Sequence, residues 1–458
     1  MTTLLKTPIQ FPPSPKGHLL IGNVLDYSQN PLGFLSDCTH QYGDIIRFRF
    51  GPIVSYLLNH PDYIEEVLVT NNSQFFRDLN LKQDGGELLF GNGLLTSCGN
   101  FWRRQRRLMQ PAFHRERIVA YADVMVTYTN QMLANWQPGE IRDIYQEMMY
   151  LTLAIVAKTL FNTDMVAEVE QIYTLLEGVM QDYNQNRGHK VLLLLLSFLL
   201  PKWLPTPNRL RFQKAVKQLD EIVYGIIQQH RTSGKDIGDL LSMLLQVQDE
   251  DGSQMTDQQL RDEVMNLLLA GHETTANALS WTWMLLSQNP EVEAKLQEEL
   301  QAVLGGRVPT MTDLPQLHYT ERVVLESMRL YPPVWAITRQ ALQDCEIAGY
   351  LIPAGTNVFM SQWVMHRDSR YFDNPEEFNP DRWADDLAKR LPTYAYFPFG
   401  GGPRVCIGKS FALMEAVLVL ATIAQKFQLT LVPEHPIVLQ PSITLSPKHG
   451  IKMLLSER

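Results

Sequence analysis

The stretch Phe397–Gly408, FPFGGGPRVCIG, sets one of the chain's four cysteines behind three glycines and a proline. A deprotonated cysteine is a soft, strong metal ligand, and a helix starting near Cys406 would aim free amides at the sulfur and favour the thiolate. Glycines 400, 401 and 402 open backbone conformations closed to other residues and let a bulky group approach the main chain. The competing expectation is a packed core cysteine, the commoner fate of a free thiol. A second set lies in AGHETT, residues 270 to 275, where Glu273 and Thr274 place an acid beside a hydroxyl in an apolar helix. Such a pair can relay protons, and Gly271 with Thr274 can loosen the local helix. His272 reads as a packed histidine. In NFWRRQRRLMQPAF, Trp102 and Arg106 stand one helical turn apart and supply two donors suited to an anion. Glu326 and Arg329 in ESMR, with Arg382 in FNPDRW, offer three charges for a buried cluster.

These residues need a large scaffold. The chain has 458 residues, 45% of them apolar and 19% charged, which excludes extended disorder. Its net charge of -9 gives no overall attraction to nucleic acid or anionic lipid. Cys38, Cys98 and Cys345 are scattered without CxxC spacing, so neither a zinc knuckle nor a disulfide framework is expected, and a reducing cytoplasm fits. The first 20 residues lack a basic segment followed by an apolar core, so no signal peptide or anchor is expected. The apolar run at 191–205 is interrupted by Pro201 and Lys202 and falls short of the roughly 20 residues of a transmembrane span.

Periodicity predicts a mainly α protein with minor β sheets, one domain over 1–458. The β-rich parts are placed at about 40–60 and 334–360 with the terminal strands, and the helical body at about 100–330 and 406–427. Around Gly51-Pro52, DIIRFRFG and IVSYLLN read as two strands joined by a turn. Thr256 and Gln259 form a capping box and Pro290 a stop, which predicts one helix of about 30 residues, roughly 45 Å long, across the molecule.

Phe399, Gly402, Arg404, Cys406 and Gly408 fit Phe-x-x-Gly-x-Arg-x-Cys-x-Gly, and the sequence thereby resembles the cytochrome P450 family. The resemblance covers nearly the whole chain and implies that fold, with the long helix over a haem b whose axial ligand is the Cys406 thiolate. It implies that Glu326, Arg329 and Arg382 lock the haem pocket, and that Glu273 and Thr274 serve dioxygen activation. Trp102, Arg106, Arg404 and Arg339 are implied as propionate partners. Arg103, Arg104, Arg107 and Lys409 lie where the family docks an acidic electron donor. With no flavin domain in the chain, a ferredoxin or flavodoxin is expected in that role. The motifs look most like the fatty-acid-hydroxylating branch of a soluble, monomeric bacterial type.

By family position the substrate pocket draws on Phe90, Leu94, Ala270, Trp335, Ala336 and Ile443, whose apolar character implies a hydrophobic small molecule. The resemblance to bacterial fatty-acid hydroxylases implies a basic residue just after the first turn to hold the carboxylate, but Ile53 stands there, which brings in a terpenoid or other neutral lipid as a competing substrate. The run at 191–205 is expected to form an apolar lid that touches membrane lipid. The leading expectation is a monooxygenase using dioxygen. The alternatives are a peroxide-dependent oxygenase or lipid hydroperoxide rearrangement enzyme, and a non-catalytic haem sensor or ligand carrier.

Overall fold

In the computed structural model, which describes residues 11–77, 86–162, 172–176, 178, 207–233, 238–246, 252 and 254–458, the longest element is the helix Asp257–Gln288. Its start is closed by the expected reciprocal pair: the Gln259 amide donates to Thr256 Oγ1 at 3.2 Å, and the Thr256 amide donates to Gln259 Oε1 at 2.9 Å. It stops before Asn289 and Pro290, since proline restrains the residue ahead of it. This long helix runs through the main core, packed chiefly on the helix Ile144–Phe161 and touching His318–Leu330 and Lys409–Ala424.

The strands lie before the helical middle of the chain, up to Asp143, and after it, from Ile337 on. Strands β1 (Ile45–Phe50) and β2 (Ile53–Leu58) pair antiparallel across the Gly51-Pro52 turn, where Gly51 has φ +59°. With β3 (Phe75–Arg77), β5 (Ile337–Ala341) and β8 (Asn357–Met360) they form a five-stranded sheet in the order β1-β2-β8-β5-β3. Strands β6 (Cys345–Ile347) and β7 (Tyr350–Ile352) form a hairpin between β5 and β8. A second sheet joins β4 (Ile141–Asp143), β12 (Lys452–Glu457) and β9 (Phe427–Leu431). A hairpin of β10 (Leu439–Pro441) and β11 (Leu445–Pro447) brings the chain back to the long helix through Trp281, whose indole donates to Leu445 O at 2.9 Å. Mainly helical with small sheets, the architecture is the expected one.

The expected lid at 191–205 lies outside the described residues. Among the described residues no helix is long and apolar enough to cross a membrane.

Candidate functional site

The loop before Cys406 is shaped by close approach. Gly402 adopts φ +63°, and a Cβ there would fall 2.0 Å from Leu68 O; a Cβ on Gly401 would fall 2.2 Å from the Tyr394 ring. Only glycine fits between these walls. The Cys406 amide then donates to Phe399 O at 3.0 Å and fixes the residue carrying the sulfur. The following helix begins at Lys409 with Gly408 as its cap, three residues later than expected. Consequently the sulfur meets the Gly408 amide and the charges of Arg106 and Lys409 rather than a full helix terminus. Burial outweighs them and pushes the thiol above its ordinary pKa. A metal cation on the sulfur would reverse this balance, because a coordinating thiol is deprotonated outright.

Cys406 is enclosed deep in the protein, yet its own surface is accessible. The two facts agree if the sulfur opens on an interior space that protein atoms do not fill. The long helix shows such a space independently. From Leu260 to Leu286 every residue is buried except Ala270, Gly271, Glu273 and Thr274.

Thr274 Oγ1 donates back to Ala270 O at 2.8 Å, as Thr275, Ser280 and Thr282 do to the carbonyls four residues before them. Glu273 Oε1 accepts from Thr444 Oγ1 at 2.5 Å, and Thr444 accepts from Asn277 Nδ2 at 3.3 Å. Burial raises the Glu273 pKa, and the Thr444 bond partly offsets it. His272 is a packed residue as expected: its Nδ1 bonds Leu268 O, and burial lowers its pKa to about 4, which keeps it neutral. At Gly271 the helix is continuous, and a Cβ would meet Val156 Cγ2 at 3.0 Å, so the glycine also allows close packing of the two helices.

Trp102 and Arg404 come together, the guanidinium carbon 4.3 Å from the ring centroid. Arg404 Nη2 donates to Ser97 O at 2.9 Å and the guanidinium also faces the Cys98 side chain, whereas its buried Nη1 makes no hydrogen bond among the described residues. A buried donor without an acceptor fits an anionic group such as a propionate. Arg106 Nη1 donates to Val405 O at 2.9 Å and so props the residue next to Cys406. Arg339 sits on β5 opposite Arg77 and Val358, with Nη1 donating to Thr338 O at 2.8 Å. Arg103, Arg106, Arg107 and His114 line a broad open depression with Trp102 and Pro403.

Glu326 and Arg329 are fully buried. Arg329 makes a bidentate pair with Glu326, both bonds 2.9 Å, and Arg382 Nε and the Trp383 indole each donate to Glu326 at 2.8 Å. Arg329 Nη1 also donates to the His366 and Pro375 carbonyls. His366 Nε2 accepts from the Phe397 amide at 3.0 Å, which ties the cluster to the loop leading to Cys406.

The apolar residues separate. Phe90 and Leu94 are buried in the main core, and Ile443 lies partly buried against it at the β10–β11 tip, beside Thr444. Trp335 is placed elsewhere, packed among Leu35, Phe48 and Phe359 under the N-terminal sheet with its indole donating to Ser442 O. Ala336 flanks that cluster. Sequence reasoning passed over Thr444 and Asn277, the polar partners of Glu273, and Glu415, fully buried nine positions after Cys406 and beside Thr275. An acid inside the apolar run FALMEAVL was the available signal.

The cytochrome P450 family model matches residues 12–454. Cyclooctatin synthase of Streptomyces melanosporofaciens is 39% identical over 94% of this chain and 93% of its own length. Cyclooctat-9-en-7-ol 5-monooxygenase of the same organism is 38% identical over 90% of this chain and 88% of its own. Pentalenene oxygenase of Streptomyces avermitilis is 35% identical over 91% and 90%. The retinoic acid-bound cyanobacterial CYP120A1 superposes with a TM-score of 0.87 at 25% identity, covering 99% of this chain and 100% of that one. With the signature cysteine, the buried Glu326–Arg329 pair and the accessible patch on the long helix in place, the chain belongs to the cytochrome P450 family and is a monooxygenase of that family.

Proposed function

We propose that this monooxygenase inserts one atom of dioxygen into a C–H bond of a terpenoid, with electrons from a ferredoxin-type donor. The carrying observation is the Glu273–Thr274 pair, partly exposed with Ala270 and Gly271 in the otherwise buried stretch Leu260–Leu286 of the long helix. A haem would be held by Cys406, with Arg404 and Trp102 available to its carboxylates, and would supply the redox chemistry. Glu273 takes up protons and Thr274 Oγ1 passes them toward the reacting oxygen, a role that needs both groups within one turn. Arg106 and Arg339 complete the carboxylate-binding set in this reading.

Two observations favour a terpenoid over a fatty acid. The β1–β2 turn offers exposed Ile53 instead of a cation, so no carboxylate is held there. Three relatives are named for cyclooctatin, cyclooctat-9-en-7-ol and pentalenene. The basic depression around Arg103 and Arg107 suits an acidic donor. All four cysteines are free, which supports a reducing compartment.

Holoenzyme with ferredoxin, its reductase and NADPH should convert cyclooctat-9-en-7-ol or pentalenene to a product carrying one oxygen from labelled dioxygen. Conversion of palmitic acid alone would overturn the substrate class. Product formed only with added peroxide would favour the peroxide-dependent alternative, and no product from any of them would favour a sensor.

A further inference from the structure

The segment that carries Phe90 and Leu94 has internal bonds, from Thr96 Oγ1 to Gly91 O and from the Thr96 and Ser97 amides to Gly93 O, and it is also tied outward. The Asn92 amide donates to Asp262 Oδ2 at 2.8 Å, the Leu94 amide to Glu263 Oε2 at 2.9 Å and the Leu95 amide to Asn266 Oδ1 at 3.0 Å. Asn266 Nδ2 returns a bond to Phe90 O at 2.7 Å. Every one of these side chains comes from the long helix. Arg261 beside them donates to Leu88 O and Leu89 O at 2.8 and 3.0 Å, and to Asp220 of the helix Pro207–Ser233 at 2.6 Å.

The loop also lies flat on that helix. A Cβ on Gly91 would fall 2.0 Å from Asp262 Oδ1, and one on Gly93 would fall 2.4 Å from Asn266 Nδ2. The glycines of FGNG exist because the loop backbone touches the polar row directly. At 100° per residue, Glu263, Asn266, Ala270 and Thr274 fall in one stripe about 80° wide, with Asn266 about 12 Å along the axis from Thr274. The helix therefore acts as a ruler: the same face that carries Thr274 sets where Phe90 and Leu94 stand.

We propose that Asp262, Glu263 and Asn266 are specificity-determining positioning residues, whose bonds to the 91–95 backbone set the distance between the Phe90–Leu94 wall and the Thr274 groove. This deepens the haem-monooxygenase reading and rests on it, including its placement of Phe90 and Leu94 in the substrate wall. The row contacts no substrate. It acts through Phe90 and Leu94, and a shift of about 1 Å in such a wall is enough to change which ligand fits by an order of magnitude.

The test uses holoenzyme and two probes, imidazole and 4-phenylimidazole, whose affinities are read from the shift of the haem absorption band. Imidazole reads access to the metal, and the added phenyl ring reads the wall. Asn266→Ala should change the ratio of the two affinities about fivefold or more while imidazole alone changes less than twofold. Hydrogen exchange at the Leu95 amide should quicken at least about tenfold in the same variant. Glu263→Gln, which keeps an acceptor for Leu94, should keep the wild-type affinity ratio. An unchanged ratio in Asn266→Ala, with the haem band intact, overturns the proposal. If Asn266→Ala takes up no haem, Asn266→Ser, too short to reach Leu95, is judged by the same readings. Failure of both to take up haem makes the row a folding element and overturns the proposal too. A wild type that takes up no haem contradicts the family-based reading instead, which separates the two failures.

Discussion

Glu273 and Thr444, 171 positions apart in sequence, are joined by a hydrogen bond that the Thr444 hydroxyl donates. It couples the β10–β11 tip to the accessible patch of the long helix, and it opposes the rise in Glu273 pKa that burial causes. A bond to the charged form favours ionisation, so Thr444→Val should raise that pKa further. The acidic limb of the turnover profile should move to higher pH, with Thr444→Ser restoring it. An unmoved limb would exclude Glu273 from the relay.

Removing the carboxylate shared by Arg329 and Arg382 leaves two buried cations unpaired. Glu326→Leu should destabilise the holoprotein by about 3–5 kcal/mol in urea unfolding. A loss under about 1 kcal/mol would show that the cluster is not needed to hold the segment ahead of Cys406.

Gly271 tests whether packing or helix propensity governs the centre of the long helix. Alanine there gains about 1 kcal/mol of propensity but presses on Val156, and crowding costs typically 1–3 kcal/mol. Gly271→Ala should therefore be neutral or destabilising in the wild type, and stabilising when added to a Val156→Ala background. A stabilising effect of Gly271→Ala in the wild-type background would contradict the close contact.

Burial and the neighbouring Asp262 push Glu263 up to about 8, against a partial offset from the Leu94 amide. The folded state thus keeps a proton that the unfolded chain releases near pH 4.5. Stability should fall as pH rises from about 4.5 to 8 and level off above that. Glu263→Gln mimics the protonated form and lacks this loss, so its Tm advantage should grow over the same range. A constant difference from pH 5 to 8 would mean that Glu263 is already ionised at the lower limit.

What was legible in the sequence was local. The long helix could be read because Thr256, Gln259 and Pro290 act within a few residues of where they stand, and the Gly51-Pro52 hairpin for the same reason. Cys406 could be read because its loop needs fixed glycines at fixed spacing. The rest depends on contacts between distant segments. Thr444 meets Glu273, and Asp262, Glu263 and Asn266 meet a loop some 170 positions away, through backbone amides that carry no sequence signal. The helix after Cys406 starts late because Gly408, φ -87° and ψ 10°, caps it. Trp335 turned toward the N-terminal cluster, which an apolar side chain alone does not reveal.

The ferrous holoprotein under carbon monoxide gives the most direct measurement, because its Soret band reports the ligand opposite the gas. Wild type should show the far-red-shifted band of thiolate coordination, and Cys406→His should lose it while still taking up haem. A wild-type band at the position typical of a histidine-ligated haem, or a shifted band that survives in Cys406→His, would contradict the account.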